Sequence, residues 1–479
     1  MLVAVPPIPA LPAITGLTAD ARRLERGMLF CAVRGAVQDG HSFVADAERQ
    51  GAAAALVEAR QPVAIPQVLV RNGRRAAALA AEAWYRRPAG KLQLIGVTGT
   101  NGKTTSVILS RHVLGARWPM GAIGTLGCFD PRGLPVPSEA GNLTTPGPID
   151  LQATLAALVE RGAAGVAMEV SSHSLDQGRV DGLQFRAAIF TNLTRDHLDY
   201  HETFEAYFEA KAKLTSYLGD DGLAVLNADD EAWTRLPKTR RRITFSATAK
   251  QADVIARDVR VDATGARFTL VTPGRGGGAS HPVSLPLLGR FNVANALGVA
   301  ACAVGLDVPA AVVAERLSSA PQVPGRMERI AVDPCVVLRD YAHTPDALER
   351  ALETIREVTT GGGGGRVIIV FGAGGDRDRG KRAPMGEIAA RLADIAIATS
   401  DNPRTEDPER ILDDVEAGMK SKPHYRITDR KAAIAQALEL ARLGDTILLA
   451  GKGHETYQIL GTTKQPFDER EVVRSLGAN

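Results

Sequence analysis

Short apolar runs, each closed by a glycine-rich or polar loop and followed by a stretch with helical spacing, recur along the chain and predict a repeated strand, loop, helix order. Near the start, Gly27–Val33 and Ala53–Val57 read as strands, with Gly35–His41 as a loop and an alanine-rich helix from Phe43 to Gly51 between them. Leu92–Val97 is the next strand, and a helix from Ser106 to Leu114 follows its glycine loop. A helix from Ile149 to Arg161 and strands at Gly165–Val170, Ala187–Thr191 and up to Val225–Asn227 continue the pattern. Gly274–Gly278 reads as a turn between two strands, and Pro321–Gly325 as a linker. Beyond it, Cys335–Leu338, Val367–Phe371, Ile395–Thr399 and Thr446–Ala450 are strands separated by helical segments, the order of a parallel, doubly wound sheet.

A chain of 479 residues is too long for one core. The expected fold is α/β in three domains: a small unit at residues 1–89, a central P-loop ATPase domain at 90–325, and a C-terminal doubly wound, Rossmann-like domain at 326–479.

With 45% hydrophobic and 23% charged residues the composition is that of a globular protein, and a net charge of +3 argues for neither a nucleic acid nor a membrane partner. The four cysteines, at 31, 128, 302 and 335, form no metal-binding spacing and read as small buried residues. Met1–Thr15 is apolar but broken by prolines and lacks a basic leader, so it does not read as a signal peptide. No apolar run approaches the length of a membrane span, and a cytoplasmic protein is expected.

The first chemistry lies in Gly96-Val97-Thr98-Gly99-Thr100-Asn101-Gly102-Lys103-Thr104-Thr105, between a strand and a helix. In that context the backbone N–H groups of Gly99, Thr100, Asn101 and Gly102 and the helix N-terminus face phosphates. Lys103 reaches the terminal ones, and the Thr104 hydroxyl is placed for Mg²⁺. The spacing departs from the usual loop: Val97 stands where a first glycine is common, with glycines at 96 and 99 instead.

Glu169 closes the strand Gly165–Val170, and a carboxylate at the end of a buried strand beside a P-loop is placed to hold Mg²⁺. Ser171-Ser172-His173-Ser174 follows it, a dense run of hydrogen-bonding groups. After the next strand, Asp196, His197, Asp199 and His201 fall close together, which suits either metal or acid–base chemistry, or a turn with surface histidines. Lys211 lies in an amphipathic segment and reads, from composition alone, as a solvated lysine; an ammonium cannot ligate a metal.

In the C-terminal sheet, the four strands end in loops that carry Asp340 to Pro345, Gly372 to Arg379, Ser400 to Arg404 and Gly451 to Glu455. Ligands bind such sheets at the carboxyl ends of the strands, so the loops are expected to share one crevice. There Arg377 and Arg404 can each grip a carboxylate with two prongs, and Asp401 with Glu455 can accept from an ammonium. A molecule with two amino-acid ends fits best.

The P-loop decapeptide, Met168–His173 and Thr191–Asp199 together resemble the Mur ligases, the amide-bond-forming enzymes of bacterial cell-wall precursor synthesis. Asp401-Asn402-Pro403-Arg404 resembles the signature of the members that add meso-diaminopimelate, whereas lysine-adding members lack the arginine. The resemblance implies an ATP-dependent, Mg²⁺-requiring ligase that joins meso-diaminopimelate to UDP-MurNAc-L-Ala-D-Glu through an acyl phosphate, acting as a monomer. It implies ATP contacts at Gly99 to Thr105, Asn292 and Asn295 by the adenine, and Arg326, Asp340 and His343. It places Thr144, Thr145, Ser171, Gln177 and Arg179 on the UDP-muramoyl peptide, and Arg377, Asp401, Asn402, Pro403, Arg404, Gly451 and Glu455 on diaminopimelate. Glu169 and His197 then belong to the magnesium sites with Thr104, and Lys211, carbamylated, becomes a carboxylate-like ligand. The first domain would grip the uridine, although Asp20-Ala21-Arg22 stands where the family usually has Asp-Ser-Arg. A relative that adds lysine or that extends folate with glutamate, and a P-loop switch or motor, are the competing readings.

Overall fold

A computed structural model describes residues 5, 8–35, 38–138, 143–248, 251–273, 278–333, 335–361, 364–420 and 422–477. Part of the proline-rich start, Ala36 and Val37 of the loop before His41, and residues 274–277 of the expected glycine turn lie outside the described residues. The chain separates into two compact units, the first formed by 1–254 with 297–313 and the second by 255–296 with 314–479.

The first unit holds two sheets. A small parallel sheet has the order Leu17–Thr18, Leu29–Cys31, Ala54–Val57, Gln67–Leu69. The larger runs Arg241–Ser246, Leu218–Asn227, Phe185–Phe190, Gln93–Thr98, Gly165–Glu169, Met120–Gly124, all parallel, with Gly127–Phe129 antiparallel at one edge. The strand Gln93–Thr98 is buried along nearly its whole length because it lies between two neighbours and under helices, which is why its sequence is a continuous apolar run. Its register pairs Val97 with Glu169 and Thr98 with Phe190. The loops after all three strands therefore leave the sheet side by side.

The second unit contains an antiparallel ribbon, Val254–Asp262, Gly265–Thr272 and Ala279–Leu285. Its main sheet has the order Glu328–Ala331, Val336–Asp340, Thr446–Ala450, Val367–Phe371, Ile395–Ala398, Tyr425–Arg426, parallel except for the first strand. Alternate residues bury on opposite faces. Val367, Ile369 and Phe371 join one core with Leu352, Ile388 and Leu412, while Ile368 and Val370 join another with Ala433, Ile434 and Val473. The expected doubly wound sheet is present, with helices on both faces.

Candidate active site

In the first unit the P-loop is built on two glycines with different duties. Gly99 has φ of +146°, and a Cβ there would lie 1.9 Å from Thr191 Oγ1, so no side chain fits. Gly102, at φ +83°, turns the chain into the helix Lys103–Leu114, which opens earlier than the expected Ser106. Thr191 Oγ1 donates to Asn101 O at 2.6 Å, and Asn192 Oδ1 accepts from Asn101 N at 3.0 Å, so the loop after Phe185–Phe190 shapes the P-loop from below. Thr100 Oγ1 bonds Thr194 O at 3.1 Å and the Tyr207 hydroxyl at 3.2 Å. Thr104 and Thr105 are buried in the first turn. Lys103 Nζ donates back to Gly99 O at 3.0 Å and Thr100 O at 2.8 Å.

Lys211 is not the solvated lysine its composition suggests. It is 1% exposed, its Nζ donates to Gly99 O at 2.8 Å and sits 4.5 Å from the centroid of the Tyr207 ring. The helix Phe204–Ala212 buries Tyr207, Phe208, Ala210 and Lys211. Tyr207 and Lys211, one turn apart, share its inward face. Burial, and then the charge of Lys103, lower the Lys211 pKa well below the usual lysine value.

Glu169 is 1% exposed, with Oε1 accepting from Thr125 N at 2.8 Å and Oε2 from Thr125 Oγ1 at 3.3 Å. Among the described residues no lysine, arginine or histidine pairs with it. A buried carboxylate held only by neutral donors fits a cation, which is the chemistry expected of a Mg²⁺ site. From Glu169 a hydrogen-bonded chain runs through the residues expected on the muramoyl peptide. Thr144 Oγ1 lies 3.2 Å from Thr125 Oγ1, Thr145 Oγ1 donates to Glu169 O at 2.9 Å, and Ser171 N to Thr145 Oγ1 at 3.2 Å. Arg179 Nη1 donates to Thr145 O at 3.0 Å and Nη2 to Gln177 Oε1 at 2.7 Å, while Gln177 Nε2 donates to the Tyr200 hydroxyl at 3.2 Å.

His197 has φ of +51°, a left-handed backbone that a non-glycine residue adopts at a cost. Its Nε2 lies 3.5 Å from Asp196 Oδ2, and its ring centroid lies 4.9 Å from that of His173. Burial lowers the pKa of His197, opposed by Asp196 and reinforced by Lys103 and Lys211. His173 is pushed down to about 4 by burial and by the neighbouring His197, His201 and Arg179 charges. Sequence spacing left this group open between metal chemistry and a surface turn; it is a half-buried cluster of rings that includes Tyr200 and Tyr207.

In the second unit, the four loops meet as expected. Gly375 N donates to Asn402 O at 2.9 Å, and a Cβ on Gly375 would lie 1.9 Å from Pro403 O. Lys381 Nζ donates to His343 O at 2.9 Å. Gly451 N donates to Asp340 O at 3.1 Å, and the Tyr341 and His454 rings lie 5.5 Å apart. Arg404, at φ +52°, donates from Nη1 to Gly375 O at 2.8 Å and is partly exposed, whereas Arg377 is exposed and donates to Asp376 O. Arg326 lies with Cζ 5.2 Å from the Tyr341 ring centroid. Burial raises the Asp340 pKa, against the pull of Arg326, and lowers that of His343. Asn292 Nδ2 donates to Leu288 O at 2.8 Å and accepts at Oδ1 from Asn295 Nδ2 at 3.1 Å, so the two buried amides hold each other.

Two features escaped the sequence. Lys452, fully buried, reaches Asp401 and Glu455 with its Nζ, at 3.5 and 3.4 Å. The hairpin Tyr457–Leu460 with Thr463–Pro466 lies against the Asp401–Arg404 loop, bridged at Arg404 and Leu460.

Three family models match consecutive parts of the chain: the catalytic domain of the Mur ligase family at residues 13–93, the Mur ligase middle domain at 97–303, and the Mur ligase glutamate ligase domain at 325–453. The UDP-N-acetylmuramoyl-L-alanyl-D-glutamate--2,6-diaminopimelate ligase of Synechococcus elongatus is 47% identical over 477 residues, covering 96% of this chain and 93% of its own. The enzyme of the same name from Gloeobacter violaceus is 45% identical over 469 residues, with the same coverage. A solved structure with that name superposes with a TM-score of 0.67 at 35% identity, covering 97% of this chain and 94% of its own.

Proposed function

The chain belongs to the Mur ligase family, and we propose that within it this protein joins meso-diaminopimelate to UDP-MurNAc-L-Ala-D-Glu at the expense of ATP. The observation that carries the reading is the hydrogen-bonded chain from Glu169 through Thr145 to Arg179 in the same unit as the P-loop, which supports a peptide-binding role for these residues. The choice of amino acid rests on Arg404 and on Asp401 with Glu455, which together suit a carboxylate and an ammonium.

The P-loop N–H groups and the N-terminus of Lys103–Leu114 bind the ATP phosphates. Lys103 exchanges the Gly99 and Thr100 carbonyls for phosphate oxygens and balances charge on the transferring group. In the second unit, Arg326, Asp340 and His343 are assigned to nucleotide contacts and Asn292 and Asn295 to the adenine. Thr144, Thr145, Ser171, Gln177 and Arg179 orient the muramoyl peptide. The γ-carboxylate of its D-Glu attacks the γ-phosphorus, the bond to the β-phosphate oxygen breaks, and ADP leaves. A neutral amine of diaminopimelate then attacks the acyl phosphate carbonyl, the amine proton is lost, and phosphate departs as the amide forms.

Glu169, His197, Thr104 and a carbamylated Lys211 are the residues that would hold Mg²⁺, which supplies charge neutralisation at the phosphates. The lowered pKa of Lys211 supports its carbamylation, because the neutral amine is the form that adds carbon dioxide. The enzyme acts as a monomer in the cytoplasm, and among the described residues no helix is long and apolar enough to cross a membrane.

Mass spectrometry of the nucleotide-linked product tests the reading. The expected result is a gain of one diaminopimelate less one water, with ATP required; an unchanged precursor in the complete mixture would overturn it.

A further inference from the structure

A lysine without any exposed surface is costly unless its charge is met. Its Nζ lies 3.2 Å from Asn402 Oδ1, 3.4 Å from Glu455 Oε2 and 3.5 Å from Asp401 Oδ1. Asn402 Nδ2 donates to the same Glu455 Oε2 at 2.8 Å. One ammonium therefore fixes the amide flip of Asn402 and ties the Ser400–Arg404 loop to the Gly451–Glu455 loop. Asp401 and Glu455 bring two negative charges to the Lys452 ammonium, and Asp401 also acts on Lys381.

A second element holds the same loop from outside. In the hairpin Tyr457–Leu460, Gln458 Nε2 donates to Asp401 O at 2.7 Å and Ile459 N to Asn402 Oδ1 at 3.0 Å. Arg404 N donates to Ile459 O at 3.1 Å and Gly461 N to Arg404 O at 2.8 Å. Arg404 is thus held at both backbone groups, in the left-handed conformation that its φ of +52° records. Without such clamping a non-glycine residue would relax out of that region.

We propose that Lys452, acting with Gln458 of the hairpin, is a positioning residue for the amino-acid substrate: it pre-sets Asn402, Glu455 and Arg404 in the arrangement that receives it. The inference deepens the ligase reading and rests on it. Lys452 touches its partners, not the reacting atoms, so its loss should weaken capture of diaminopimelate and leave the nucleotide and muramoyl-peptide sites as they were. Preorganised side chains that relax by small distances lose affinity in this way.

The test is steady-state kinetics on the full chain with Lys452→Met, Lys452→Gln and Gln458→Ala, varying each of the three substrates in turn. The expected result is a rise in KM for diaminopimelate of about tenfold or more for both Lys452 variants and about threefold for Gln458→Ala. The KM values for ATP and for the precursor should stay within about twofold, and kcat at saturation within about threefold. Gln458→Ala alters the peripheral hairpin and leaves the enclosed lysine in place, so it reports even if a Lys452 variant does not fold. A diaminopimelate KM unchanged in the variants that fold, or all three KM values rising together, would overturn the proposal. Wild-type protein that makes no amide from diaminopimelate would instead refute the ligase reading, which keeps the two failures apart.

Discussion

Lys103 and Lys211 donate to the same carbonyl oxygen, that of Gly99, at 3.0 and 2.8 Å. One lysine belongs to the P-loop and the other to a helix more than a hundred positions later, and both face a loop whose glycine tolerates no side chain. Two ammonium groups on one oxygen repel in a buried setting, and burial, then the Lys103 charge, lower the Lys211 pKa well below the usual lysine value.

Lys211, buried and with its pKa lowered, is expected to carry a carbamate in the working enzyme. Lys211→Ala should lower kcat about 100-fold or more, as loss of a metal-supporting group does. Short carboxylates such as formate should restore part of the activity, and degassed, bicarbonate-free wild-type enzyme should regain activity on adding bicarbonate. Indifference to bicarbonate and no rescue would refute the carbamate.

Arg404 is expected to decide between amino acids. Removing it deletes a two-pronged partner for a carboxylate, so Arg404→Ala should lose about 10³-fold in kcat/KM for meso-diaminopimelate and much less for L-lysine. An equal loss for both would place the discrimination elsewhere.

His173 gives a pH dependence with a definite sign. Its pKa lies at about 4 in the folded chain against an ordinary value of 6.5, lowered by burial first and then by His197, His201 and Arg179. Between these values the unfolded chain holds a proton that the folded chain does not, so stability is complete above about 6.5 and is lost as pH falls toward 4. The Tm of metal-free protein should drop from pH 7 to pH 5, and His173→Asn should narrow the drop. A Tm difference unaffected by the substitution would contradict the assignment.

Arg430 and Glu469 form an ion pair with no exposed side-chain surface, closed by Arg430 Nη2 on Ala450 O at 2.8 Å. Arg430→Ala strands a buried carboxylate and should cost about 3–5 kcal/mol in chemical denaturation. Arg430→Met combined with Glu469→Leu should recover most of it; a single variant within about 1 kcal/mol of wild type would show that water reaches the pair.

The parts of the site that could be read in the sequence are those whose signal is local. Gly99 to Lys103 lies between a strand and a helix, and the four loops of the second unit each follow an apolar run, so chain order alone placed them at strand ends. Lys211 and Lys452 could not be read this way, because a lysine's burial is decided by what packs on it from distant parts of the chain. From composition Lys211 reads as a solvated lysine, and Lys452 lies in the loop Gly451 to Glu455 with nothing local to mark it. The Thr125 clamp on Glu169 was equally hidden, since it joins adjacent strand ends separated by a whole helix. Register, which no single segment encodes, brings Thr98, Glu169 and Phe190 level and so makes the site.

Phosphate release from ATP, measured with UDP-MurNAc-L-Ala-D-Glu and either meso-diaminopimelate, L-lysine or no amino acid, tests the central claim most directly. Release that requires the precursor and is complete only with meso-diaminopimelate is the predicted result. Release with lysine alone would contradict the reading of Arg404, and release indifferent to any amino acid would contradict an amide ligase.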